Sequence, residues 1–154
     1  MDYSDEIKEI YGNKIRIRVC GILENGENYL FVNHKKLNKD NIFWNFPGGG
    51  VEDGESIRET LKREFQEETN LEIIVEQFCF FNQVIVGSLH AIELYFRVKS
   101  NSFIVKVGND PEFNIITDLK WMNLDEFLGL PIHQKPVIFS NIKSINDLIY
   151  PFRS

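Results

Sequence analysis

Glu64 and Glu68 sit four residues apart in the segment SIRETLKREFQEET, and they fall on the wrong side of it. Ser56 followed by Glu59 is a capping box, which predicts a helix beginning at about Ile57. At roughly 100° per residue, Ile57, Leu61 and Phe65 form its apolar stripe, and Arg58, Lys62 and Gln66 its solvated back. Glu64 and Glu68 project with the stripe, in nearly the same direction as Ile57 and Leu61, and Glu67 lies beside them on the edge. Like charges at that spacing repel, and unpaired carboxylates aimed at the body of a protein are costly. A hard divalent cation, Mg²⁺ or Mn²⁺, resolves both problems, because it prefers several oxygen ligands.

The residues in front of the helix suit such a site. Pro47 and Gly48, Gly49 and Gly50 are expected to break regular structure and to let the backbone approach a ligand closely. A backbone carbonyl there, at Gly49, is a further candidate metal ligand. Arg63 is placed to pair with Glu59 four residues earlier, or to reach back to Glu55 and brace the loop against the helix. Glu52 is either a ligand of a second metal or a solvated turn acid.

The rest of the chain alternates between strand and helix signals. Ile15 to Ile22 places Ile15, Ile17 and Val19 on one face and Arg16 and Arg18 on the other, which is strand periodicity. Asn25-Gly26 marks a hairpin into Tyr29 to Val32. Residues 34 to 41 read as a polar loop. Leu71 to Val86 and Leu89 to Val98 are rich in β-branched and aromatic residues, with a turn near Gly87-Ser88. Asn101 to Asn114 reads as a loop with a short strand at Phe103 to Val107, and Leu119 to Met122 as a later strand. Asn123 and Glu126 cap a short helix, and Ile138, Ile142, Ile145 and Ile149 predict a final amphipathic one. The pattern is α+β, a central mixed sheet with helices on its faces.

Size and charge narrow the function. The 154 residues suit one domain over 1–154, with 43% hydrophobic residues to bury. No apolar run is long enough to span a membrane, and the polar, acidic start MDYSDEIKEIYGNK is unlike a secretory signal or a transit peptide. A net charge of −6 supplies no basic field for an extended nucleic acid, so the expected partner is a small ligand. Cys20 and Cys79 read as buried free thiols in a reducing cytoplasm.

Residues 49 to 71 resemble the Nudix box of the MutT-like hydrolases, whose pattern is Gly, five residues, Glu, seven residues, Arg-Glu-apolar-x-Glu-Glu-x-Gly-apolar. Gly49, Glu55, Arg63, Glu64, Phe65, Glu67, Glu68, Asn70 and Leu71 hold those places. Asn70 is the one departure, standing where the family usually has glycine. The position is expected to need a left-handed backbone, which Asn tolerates best among the other residues. The resemblance implies an α/β/α sandwich around a mixed sheet. It also implies Mg²⁺-dependent hydrolysis of the pyrophosphate bond of a nucleoside diphosphate linked to another group. Under it Glu64, Glu67 and Glu68 are metal ligands, and Glu64, Glu67 and Arg63 are catalytic. The general base comes from the box or from a later loop, where Glu112 is a candidate or else a solvated acid.

Substrate contacts are less determined. Arg16 and Arg18 either meet phosphates or lie on the surface of an edge strand. Trp44 and Phe46, with Phe43, either stack on a base or fill the core. His90 reads as packed or hydrogen-bonded, and His34, Lys35 and Lys36 as a solvated loop or an anion lure. ADP-ribose hydrolases of the family tend to carry a proline about fifteen residues beyond the box, and dinucleoside polyphosphate hydrolases a tyrosine a little further. FNQVIVGSLH, residues 81 to 90, has neither. Nucleoside triphosphates or a broad nucleotide range are therefore expected ahead of ADP-ribose or nucleotide sugars. A nucleotide-binding regulatory domain without turnover is the alternative from another class. Many relatives pair as homodimers, for which the strands Gln77 to Phe81 and Leu94 to Phe96 offer either apolar surface or core.

Overall fold

The computed structural model describes residues 5–34, 37, 39–106 and 116–149. Along the chain run α1 (Asp5–Tyr11), β1 (Lys14–Asn25), β2 (Asn28–His34), β3 (Trp44–Asn45), β4 (Gly48–Gly50), α2 (Ile57–Thr69), β5 (Ile73–Val86), β6 (Leu89–Ser100), β7 (Ile116–Asn123) and α3 (Leu124–Leu128). They build one mixed sheet of seven strands, ordered β3-β2-β1-β6-β5, with β4 paired to β1 and β7 to β2. β1 runs parallel to β6 and antiparallel to β4, which makes it a central strand.

Period-two alternation gives the sheet two buried faces. Val19, Leu23 and Leu30 pack with Val98 beneath Leu61 and Phe65 of α2. Cys20, Ile22, Phe31, Phe80 and Tyr95 face the other way and meet Phe127 of α3, Phe139 and Ile145. Helical cover on both sides is the α/β/α arrangement that the pattern predicts. Cys20 and Cys79 are buried and free, on the second of these faces.

Local signals set most boundaries. Asn25 and Asn28 pair across the β1–β2 turn. Asn123 accepts the Glu126 N–H at 2.8 Å, and Glu126 returns the bond, so α3 begins as the capping box predicts. Asn70 ends α2 in the left-handed region, at φ 58° and ψ 21°. Its side chain also donates to the Lys106 carbonyl at 3.1 Å. Asn70→Ala is expected to lower stability by about 1 kcal/mol, and Asn70→Gly to change it by less than half of that, as read by thermal unfolding.

Four expectations need correction. The three glycines do not break regular structure; they form β4, because lateral pairing with β1 is nonlocal and leaves no local signature. The closing isoleucines form no α-helix. Short 3₁₀ turns at Ile132–Gln134, Val137–Phe139 and Ile145–Asp147 replace it. Ser144 and Asp147 instead bind the backbone N–H groups of Asn146, Lys143 and Ser144. Residues 103–106 are not a strand, and Val107 lies outside the described residues. Ile57, in the first turn of α2, is 37% exposed, so the buried stripe begins at Leu61. In the strands named for a dimer, Phe80 and Tyr95 are core whereas Phe78 and Phe81 are about half exposed.

Candidate active site

α2 is locked in rotation before its carboxylates are placed. The Ser56 hydroxyl accepts the Glu59 N–H at 3.1 Å, and the Glu59 carboxylate accepts the Ser56 N–H at 2.8 Å. Leu61 and Phe65 are wholly buried. With that face fixed, Glu64 and Glu68 must point toward β4. Glu68 is 4% exposed and accepts the Gly48 N–H at 3.3 Å. Glu64 ends against Gly49, where a Cβ would collide with its carboxylate.

Both carboxyls are pushed above the ordinary range. For Glu68 burial is the largest cause, followed by the charge of Glu64 and the hydrogen bond to it. For Glu64 burial again leads, opposed by Arg63. Two buried carboxyls bonded to one another share a proton, which belongs to the pair.

Arg63 organises the surrounding acids. Nε and Nη2 grip Glu55 at 2.7 and 3.0 Å, while Nη1 reaches Glu64 at 3.1 Å and Glu67 at 3.2 Å. Nη2 also donates to the Gly50 carbonyl at 3.3 Å. Of the two pairings open in the sequence, Glu55 is therefore the one formed, since Glu59 is occupied at the cap. This bidentate bond is the main reason the Glu55 carboxyl is held down to about 2.

A cavity of about 470 Å³ opens beside these acids, within the range of small-molecule sites. Glu64, Glu67, Glu68 and Gly49 line it together with Arg16 and Arg18, whose strand runs beside β4. Arg16 lies 3.6 Å from the centroid of the Tyr11 ring, and Arg18 donates to Glu93 at 3.0 Å. The arginines are thus not on an edge strand. His90, bonded to Gln83 at 2.9 Å, reaches the cavity too.

Other predicted residues are placed differently. Phe46 is 1% exposed among Phe31, Tyr95, Phe127 and Phe139, and Trp44 packs half-buried against the same core. Neither lines the cavity, so base stacking by Trp44 and Phe46 is withdrawn; Phe43, next to them, does line it. Glu112, Lys35 and Lys36 lie outside the described residues. Glu93 and Asn82 were not singled out, although a lone acid in the apolar run LHAIELYF was a readable signal.

His34 is no solvated loop residue. It ends β2, 5% exposed against the cavity, and burial, then Arg18, pull its imidazole down to about 3. Below about pH 6.5 the unfolded chain takes a proton here that the folded chain refuses, so stability falls as pH drops toward 3. His34→Gln is expected to flatten the stability profile between pH 4.5 and 6.5 by up to about 1.4 kcal/mol per pH unit, measured by urea unfolding across that window.

The residues fit a divalent cation: two buried carboxylates, a third beside them and backbone carbonyls offer hard oxygen donors facing an open cavity. Among the described residues no three such side chains form a cage, and both Glu64 and Glu67 are bonded to Arg63 Nη1.

Comparison with known proteins agrees with this geometry. The NUDIX domain family matches over residues 14–140. An RNA pyrophosphohydrolase of Pelagibacter ubique (strain HTCC1062) is 28% identical over 135 residues, covering 79% of this chain and 85% of its own. An 8-oxo-dGTP diphosphatase of Buchnera aphidicola subsp. Schizaphis graminum is 35% identical over 102 residues, 62% of this chain and 75% of its own. Among solved structures, the MutT protein from Methanosarcina mazei Go1 shares the fold at a TM-score of 0.68 and 22% identity, covering 82% of this chain and 88% of that one.

Proposed function

This chain belongs to the Nudix family of hydrolases, and from that premise we propose that it is a Mg²⁺-dependent pyrophosphohydrolase of nucleoside triphosphates. One observation carries the reading: the buried Glu64–Glu68 pair shares a cavity of about 470 Å³ with Arg16 and Arg18. The two relatives named for an RNA pyrophosphohydrolase and an 8-oxo-dGTP diphosphatase support a triphosphate end as the reacting group.

The chain's residues divide the work. Glu64, Glu67, Glu68 and the Gly49 backbone are the groups that would hold the cation, whose chemistry there would be neutralisation of phosphoryl oxygens and activation of water. Arg63 is a positioning residue that fixes Glu64 and Glu67 through its bonds to both, while Glu55 fixes Arg63 in turn. Arg16 and Arg18, which line the same cavity, take phosphoryl oxygens, since a fixed guanidinium suits the geometry of phosphate. Phe43, Asn82, Gln83 and His90 line the remainder and select the base or its replacement. Glu112 keeps its place as candidate base from the sequence.

The test is release of pyrophosphate and phosphate from nucleoside triphosphates, triphosphate-ended RNA, ADP-ribose, nucleotide sugars and dinucleoside polyphosphates, with Mg²⁺ and with chelator. Metal-dependent turnover greatest on triphosphates supports the reading. Turnover confined to ADP-ribose or nucleotide sugars overturns the substrate class, and nucleotide binding without turnover turns the chain into a regulatory domain.

A further inference from the structure

Arg18 is a cation lining the same cavity as the Glu64–Glu68 pair, and it is held by a carboxylate that no step above uses. Arg18 and Glu93 are register partners on the parallel strands β1 and β6, and both line the cavity. Arg18 also stands opposite Gly50, one rung from Gly49 and two from Gly48, the backbone where Glu64 and Glu68 end. Its charge reaches both carboxyls, opposing the upward push of burial. A guanidinium with that reach, left unrestrained, closes on the carboxylates and competes with a cation for their oxygens.

Glu93 is built as an anchor against this. It is 3% exposed, and Oε2 takes Arg18 Nη1 at 3.0 Å. Oε1 accepts Asn82 Nδ2 at 3.3 Å and lies 3.4 Å from the Tyr95 hydroxyl. That hydroxyl is also 3.4 Å from Asn45 Oδ1, which itself accepts the Phe46 N–H at 2.8 Å. A buried carboxylate tied on both oxygens into a backbone-anchored network has little freedom to follow the arginine. We infer that Glu93 is a positioning residue, holding Arg18 off the Glu64–Glu68 pair so that the pair stays open to a divalent cation.

This rests on the metal-dependent reading, and its test needs no turnover. Mn²⁺ binding to the full chain is measured by electron paramagnetic resonance for the wild type, Glu93→Gln, Arg18→Gln and the double variant. Glu93→Gln is expected to weaken Mn²⁺ about 10-fold in the wild-type background and by less than about 2-fold after Arg18→Gln. Equal weakening in both backgrounds means that Glu93 acts only as one more negative charge, and overturns the inference. If Glu93→Gln does not fold, Asn82→Ala loosens the same carboxylate. It should weaken Mn²⁺ about 3-fold, again only while Arg18 is present, and an unchanged affinity overturns the inference. A wild type that binds no Mn²⁺ overturns the metal reading itself; one that binds, with an additive cycle, overturns only the role of Glu93.

Discussion

Glu68→Gln is expected to lower metal-dependent hydrolysis on the order of 10³-fold, about 4 kcal/mol of transition-state stabilisation, while making the metal-free protein more stable. The two halves have one cause. Glu68 is buried beside Glu64, so in the absence of a cation it is a source of electrostatic strain. The carboxamide keeps an oxygen for the Gly48 N–H and removes the second acid. The sign with pH follows from the raised carboxyl. Above its unfolded value of 4.5 the unfolded chain has released a proton that the folded chain retains, so this contribution to stability shrinks as pH rises. The variant should therefore gain on the wild type from pH 5 toward 8, by thermal unfolding with chelator. With Mg²⁺ the order should reverse, because only the wild type binds the cation tightly enough to be stabilised by it. A variant that keeps both its turnover and its Mg²⁺-induced shift removes Glu68 from the site.

Much of this arrangement is written locally in the chain. Ser56 with Glu59, Asn123 with Glu126, Asn25-Gly26 and the left-handed Asn70 each act over four residues or fewer, and each holds in the structure. The inward rotation of Glu64 and Glu68 is readable for the same reason, since a helix converts sequence spacing directly into direction. What escapes is whatever depends on partners distant in the chain. Gly48–Gly50 becomes a strand only because β1 lies beside it. Phe43, Trp44 and Phe46 are alike in composition, yet pairing with β2 sends Phe43 to the cavity and Phe46 to the core. Glu93 gains meaning only once the parallel β1–β6 register sets it next to Arg18. The isoleucines at 138, 142, 145 and 149 have helical spacing, and Ile145 does reach the core. Spacing there reports burial without reporting helix.

Gly48→Ala and Gly49→Ala differ by one residue and are expected to fail in opposite ways. A Cβ on Gly48 would run into the backbone of β1 at Val19 and Cys20, and backbone cannot move aside without unpairing the strands. Gly48→Ala should cost about 3 kcal/mol or more in stability, with activity lost in proportion to folded protein. A Cβ on Gly49 meets only the carboxylate end of Glu64, which can swing away. The fold should lose less than about 1 kcal/mol, since the displaced group is a side-chain tip. The site should lose far more. Glu64 would leave both its partner Glu68 and the Nη1 of Arg63, and a displacement near 1 Å at a reacting centre costs about 10²-fold in rate. Urea unfolding and kcat measured on the same preparations separate the two outcomes. Should Gly49→Ala fold normally and turn over at the wild-type rate, Glu64 needs no fixed position, and the acidic pair loses its standing as the catalytic centre.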